Sequence, residues 1–245
     1  AVFSRCSSLK SIIVDENNVT YDSRNNCNAL IETATNTLIK GSNTTIIPNT
    51  ITTIGGGAFH DLSSLTTIVI PDNVVTIGNS AFSGSSLKEV YIGVGLTDLE
   101  SGAFSCDSLK TVFWNAKSCS DIKNSQYRRW SNNSITSFSF GDSVKHIPNE
   151  LCESLYHLQV VTIGKNVESI GYRAFYNCDS LKTITIPKNV KSIGNSAFYD
   201  CDNMTVTIPK SVTNIDSNSF YSCDNLTINC EKGSYALSYA VSKGY

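Results

Sequence analysis

Apolar residues recur along this chain at a step of about 23 positions. In the stretch from Leu181 to Asn203 they are Leu181, Ile184, Ile186, Val190, Ile193, Ala197, Phe198 and Cys201, with Pro187 and Gly194 at two bends. The alternation at Ile184 and Ile186 has period 2, the signature of a strand, and Pro187 ends it because proline has no N–H for the ladder. Gly194 is expected to take a backbone conformation that a Cβ would resist, and Ser196-Ala197-Phe198 to close a tight helical turn. So short a unit cannot enclose a core. Each turn must bury its apolar set against the turns before and after it. The pattern predicts a mostly β solenoid, a right-handed superhelix of about nine turns in one domain, whose strands stack ~4.8 Å apart. That stacking lines up Phe59, Phe82 and Phe104 in one spine and Phe175, Phe198 and Phe220 in another.

The register runs through most of the sequence. Ala1 to Ser8 matches the end of a repeat, so the chain opens in mid-turn and the natural protein is expected to extend upstream. Regular turns occupy Ser42 to Ser64, Leu65 to Ser86 and Leu87 to Ser108, and register returns from Ile135 to Cys230. Cys152 stands there in place of the usual Phe. Asp15 to Gly41 departs from the pattern, with two β-rich runs around Ala34-Thr35-Asn36 that predict an inserted hairpin. Trp114 to Ser134 has no register and carries both tryptophans. Gly233 to Gly244 reads as a helix closed by a C-terminal glycine, placed to cover the open end of the core.

Val-x-x-Ile-Gly-x-x-Ala-Phe-x-x-Cys-x-x-Leu-x-x-Ile-x-Ile-Pro resembles the repeat of the BspA-like leucine-rich repeat family of secreted and surface proteins of gut and oral bacteria. The resemblance covers Ser42 to about Leu109 and Ile135 to Cys230; Tyr21 to Asn28 and Trp114 to Lys117 also resemble insertions in such proteins. It implies a leucine-rich-repeat solenoid with a role in adhesion or partner binding. It implies no catalytic residues and no cofactor.

Composition narrows the function further. Charged residues make up 16% of the chain and the net charge is −2, which gives no footprint for nucleic acid. No apolar run approaches the ~20 residues of a membrane span, and the mean hydropathy is −0.08. The surface is therefore rich in Ser, Thr and Asn, as suits an extracellular or cell-surface protein whose export signal or anchor lies upstream. A monomer is expected. Of nine cysteines, Cys6, Cys106, Cys178, Cys201 and Cys223 share one repeat position that Leu62 and Leu155 fill elsewhere. That exchange predicts buried thiols in a ladder, whose parallel Cβ vectors oppose disulfides. Zinc is a poor fit, because His60, His146 and His157 are scattered.

Two features carry candidate chemistry. Asp179, Asp202 and Asp224 fall on consecutive turns, where crowded carboxylates invite calcium; each Asp can instead cap its turn by accepting backbone N–H groups. The second feature is the outward position between the two inward strand residues: Val69, Tyr91, Phe113, Ser139, Thr162, Thr185, Thr207 and Asn229. Threonine suits a solvent-facing strand. Tyr91 and Phe113 break that habit, with Glu89 and Trp114 near them in sequence, just before the irregular segment with Tyr127, Arg128, Arg129 and Trp130. Aromatics with arginine anchor recognition surfaces, so these eight residues form the candidate ligand patch; alternatively the segment folds back on its aromatics as a small core of its own. A polysaccharide-acting β-helix enzyme would replace repeat residues with clustered Asp, Lys and Arg on one ladder, and no such cluster is seen. The expectation is a non-enzymatic module that binds a protein or glycan, with a passive spacer as the alternative.

Overall fold

A computed structural model describes residues 3, 6–119, 130 and 134–245. The chain is a β-solenoid of about eight turns, close to the count that the register suggests, with one C-terminal α-helix. Each regular turn has the same parts. A strand of three or four residues comes first, as at Thr67–Ile70, where Ile68 is buried and Val69 exposed. Proline, or glycine at Gly93, Gly141 and Gly164, then turns the chain, and Val74 donates its N–H to Pro71 O at 3.1 Å. A two-residue strand follows, such as Thr76–Ile77. Finally the Ala-Phe segment forms single hydrogen-bonded turns, with Ala81 N–H on Gly78 O at 3.2 Å.

The chain divides into two compact units at the strand Thr111–Trp114. In the first unit, Ala29–Glu32 and Thr37–Gly41 pair antiparallel, and the second of these continues parallel to Thr53–Ile54, which attaches the inserted hairpin to the coil. The two-residue strands Thr53–Ile54, Thr76–Ile77 and Asp98–Leu99 follow in parallel register. Phe59, Phe82 and Phe104 stack face to face at 4.8 and 4.9 Å. Trp130 adds a fourth ring to this spine, 5.2 Å from Phe104 and 18° from parallel. Trp130 lies in the segment without register, and the indole caps the spine there.

In the second unit, His146–Ile147, Ser169–Ile170, Ser192–Ile193 and Asn214–Ile215 make one parallel sheet, and Thr183–Thr185, Thr205–Ile208 and Thr227–Cys230 another. Phe175, Phe198 and Phe220 stack at 5.3 and 5.2 Å. Where Cys152 stands in place of a ring, Phe140 meets Phe175 edge-on at 6.1 Å. At the other end the helix Tyr235–Lys243 places Tyr239 6.1 Å from Phe220. Ser234 caps the helix by accepting the Leu237 N–H, and Gly244 ends it at φ 78°.

The structure corrects the reason for the Ile-Gly glycines. Gly194 does not have a positive φ among the described residues. A Cβ there would lie 2.9 Å from Gly171 C and Tyr172 N of the preceding turn, so glycine is required because adjacent turns approach too closely for a side chain.

Candidate functional site

In a solenoid the inward residues are committed to the core, so chemistry can appear only on outward columns. In the second unit the column between the two inward strand residues is polar from Ser139 onward: Ser139 pairs with Thr162, and Thr185 with Thr207 and then Asn229. In the first unit Val69 pairs with Tyr91. Ile46, the corresponding residue one turn earlier, borders the same depression as Val69, a hollow of about 370 Å³ floored by Ile47, Ile68 and Pro71. Ile46 is 79% exposed and Val69 60%. The equivalent hollow of the second unit, about 420 Å³, is edged by Thr162, Thr185 and Lys165.

The hollow of the first unit is apolar because its outward residues are Ile46 and Val69. Thr45 takes the inward place where other turns have Ile, Val or Phe, and satisfies its hydroxyl by donating to Asn28 O at 2.8 Å. Ile46 then points outward next to Val69. Tyr91 is half-buried, and its phenol donates to Glu89 Oε2 at 3.4 Å. Partial burial first, then the Glu89 charge, raises the Tyr91 pKa.

The remaining residues of the predicted patch have other places. Phe113 is half-buried on its strand, whereas Trp114 and Trp130 are buried. Trp114 packs against Phe138 at 6.2 Å, with its Nε1 lacking an acceptor among the described residues. Tyr127, Arg128 and Arg129 lie outside the described residues. Asp202 Oδ1 accepts the Asp224 N–H at 2.8 Å, a bond between turns of the capping kind. Asp179 and Asp224 are exposed. Among the described residues no group of three or more His, Cys, Asp or Glu side chains is arranged to hold a metal ion.

Two outward features escaped the sequence reading. Ile46 was legible as the partner of Val69 once Thr45 was aligned with Ile68. Tyr176, Tyr199 and Tyr221 each follow the spine Phe, and their rings stack along the surface at 4.7 and 5.6 Å.

The chain belongs to the family with a BspA type leucine rich repeat region, which it matches in six copies over residues 36–158 and 146–236. Among solved structures it is similar to a leucine-rich repeat protein from Eubacterium ventriosum, at 24% identity and a TM-score of 0.59, over 81% of this chain and 54% of that one. It is also similar to a leucine rich cell surface protein from Faecalibacterium prausnitzii, at 24% identity and a TM-score of 0.45, over 79% and 61%. The pneumococcal vaccine antigen PcpA is 19% identical with a TM-score of 0.47, over 91% of this chain and 50% of that one. The chain thus spans between half and two thirds of the length of these structures. No curated protein matches it.

Proposed function

We propose that the chain is a non-enzymatic binding module of a bacterial cell-surface or secreted protein, and that it recognises a protein or glycan through the outward column Ile46, Val69 and Tyr91, with Glu89 beside it. One observation carries this reading. The first unit exposes Ile46 and Val69 around an open hollow, whereas the second unit has threonine at the same repeat position. Val69 lies on a sheet-edge strand with Ile46 beside it, and exposed aliphatic side chains there invite aggregation; a partner that covers them removes that liability. The strands are held by the core, so the column loses little ordering entropy on binding. Family membership and the cell-surface description of the Faecalibacterium protein agree with this role.

The test is a screen of the chain against a panel of extracellular-matrix proteins and a glycan array. Saturable binding to a member of either set is expected. Absence of binding to every member would favour a passive spacer, whose partners bind elsewhere on a longer protein.

A further inference from the structure

Thr67–Ile70 is an edge strand: Glu89–Ile92 pairs with it on one side, and among the described residues no strand pairs with it on the other. The Glu89 N–H donates to Thr66 O at 3.2 Å. Successive residues of a strand direct their backbone groups to opposite neighbours, so Ile68 serves Glu89–Ile92 while the N–H and C=O groups of Thr67 and Val69 point the other way. On that side lies the hollow of about 370 Å³, between the edge and residues 45–47. Among the described residues no backbone hydrogen bond joins Thr67 or Val69 to that segment.

The chain does not close this edge on itself. Thr45, one turn before Ile68, donates its N–H to Ser42 O at 3.3 Å. Its hydroxyl donates to Asn28 O at 2.8 Å and accepts the Ser42 N–H at 2.7 Å. These bonds hold residues 42–45 in a turn, and a ladder bond from the Thr45 N–H to Thr67 O would have to break the first of them. The second unit differs. Its hollow of about 420 Å³ also lies at a break, between Val160–Thr162 and Thr183–Thr185, which belong to different sheets. There both walls are regular strands whose unused groups complement one another, so that break can close from within. The edge at Thr67–Ile70 needs a backbone from outside.

We infer that the Thr67–Ile70 edge takes up an uncharged, extended peptide segment of a protein partner as an added strand. Alternating N–H and C=O groups along an edge are matched by another backbone at strand period, and hollows for alternate side chains add selectivity. Ile46, Ile47, Ile68 and Pro71 offer such a hollow, and none of its lining residues is charged or aromatic. A glycan would meet only Thr45, Thr67 and Asn49 there as side-chain partners for its hydroxyl groups. The inference rests on the reading of this column as the binding site, and narrows the occupant from a protein or glycan to an extended peptide.

The probe is a fluorescent peptide with the sequence of residues 181–187, Leu-Lys-Thr-Ile-Thr-Ile-Pro, a regular strand of this chain. Its anisotropy is measured against the full chain at about 0.15 M salt, where long-range attraction is largely screened. Saturable binding is expected, with a Kd of about 1 mM or tighter. A copy N-methylated at its two Thr and two Ile residues keeps the side chains but loses the donors of both edges, and should bind about tenfold or more weakly. Val69→Pro removes an N–H that no ladder bond uses, as proline on an edge strand can, and should weaken binding of the unmodified peptide about fivefold. If that variant does not fold, the N-methylated peptide on the parent chain still decides. No binding of the peptide by the parent, equal affinity for the N-methylated copy, or undiminished binding by folded Val69→Pro would overturn the inference. The column reading fails separately: a glycan lost by Ile46→Thr/Val69→Thr/Tyr91→Thr, with no peptide binding, would leave the column standing and overturn only the extended occupant, whereas unchanged affinity of the threonine variant for the partner retained by the screen would overturn the column itself.

Discussion

The thiol of Cys201 donates to the carbonyl oxygen of Phe175, 3.2 Å away and one turn earlier in the coil. The bond recurs from Cys223 to Phe198 O at 2.9 Å and from Cys106 to Phe82 O at 3.0 Å. Cys178 makes it to Cys152 O at 3.2 Å. Cysteine at this place thus fills the core as leucine would and also satisfies a buried carbonyl. Cys201→Ala removes both contributions and should cost about 1–3 kcal/mol. Cys201→Ser keeps a donor and should lose less; urea denaturation of the two variants decides between them.

The same burial controls thiol chemistry. Loss of solvent raises the pKa of Cys106 and of Cys223 to about 11, and those of Cys178 and Cys201 well above the ordinary thiol value. At pH 8 these groups are protonated, and the thiolate is the nucleophile. Iodoacetamide followed by peptide mass analysis should label them only after denaturation.

Two backbone substitutions should act in opposite directions. Gly194→Ala forces a Cβ against the backbone of the preceding turn and should cost about 1–3 kcal/mol. Ser222 sits at φ 62°, where a Cβ is disfavoured by about 1–2 kcal/mol. Ser222→Gly relieves that cost against a smaller entropic loss, so its thermal midpoint should rise while that of Gly194→Ala falls.

Acid should loosen the inserted hairpin region through Asp22. Hydrogen bonds from the Arg24 side chain, at 2.8 and 2.6 Å, lower the Asp22 pKa from 3.8 to about 2, against the opposing effect of burial. A folded-state pKa below the unfolded one stabilises the fold above the unfolded value and loses that contribution as pH falls through the folded value. Between pH 4 and about 2 the stability of the parent should fall more steeply than that of Asp22→Asn, as read by denaturation at fixed pH.

The coil was legible because its period is written in residues that have no other place to go. Leu181, Ile184, Val190, Ile193 and Phe198 are all buried, and the hairpin and the helix were marked by their own patterns. The destination of Trp130 was not legible, since Trp114 to Ser134 has no register from which to align it with Phe104. The glycine rule was legible as a glycine but not in its cause, because the contact of Gly194 with Gly171 depends on how closely two turns pack. Of the predicted patch, Tyr91 and Glu89 do make a pair on the surface. The tryptophans went to the core instead, where an indole buries more area than a small side chain. The tyrosine ladder was visible at a regular step, but a residue repeated in register reads first as part of the scaffold.

The central claim is that the first unit binds through its outward column. The direct measurement is the affinity of Ile46→Thr/Val69→Thr/Tyr91→Thr, beside the parent, for the matrix protein or glycan that the screen retains. Threonine at all three positions reproduces the outward column of the second unit at Thr185 and Thr207, so the fold should persist and its circular dichroism should match the parent. A loss of about tenfold or more in affinity is the predicted result; unchanged affinity in a folded variant would contradict the claim.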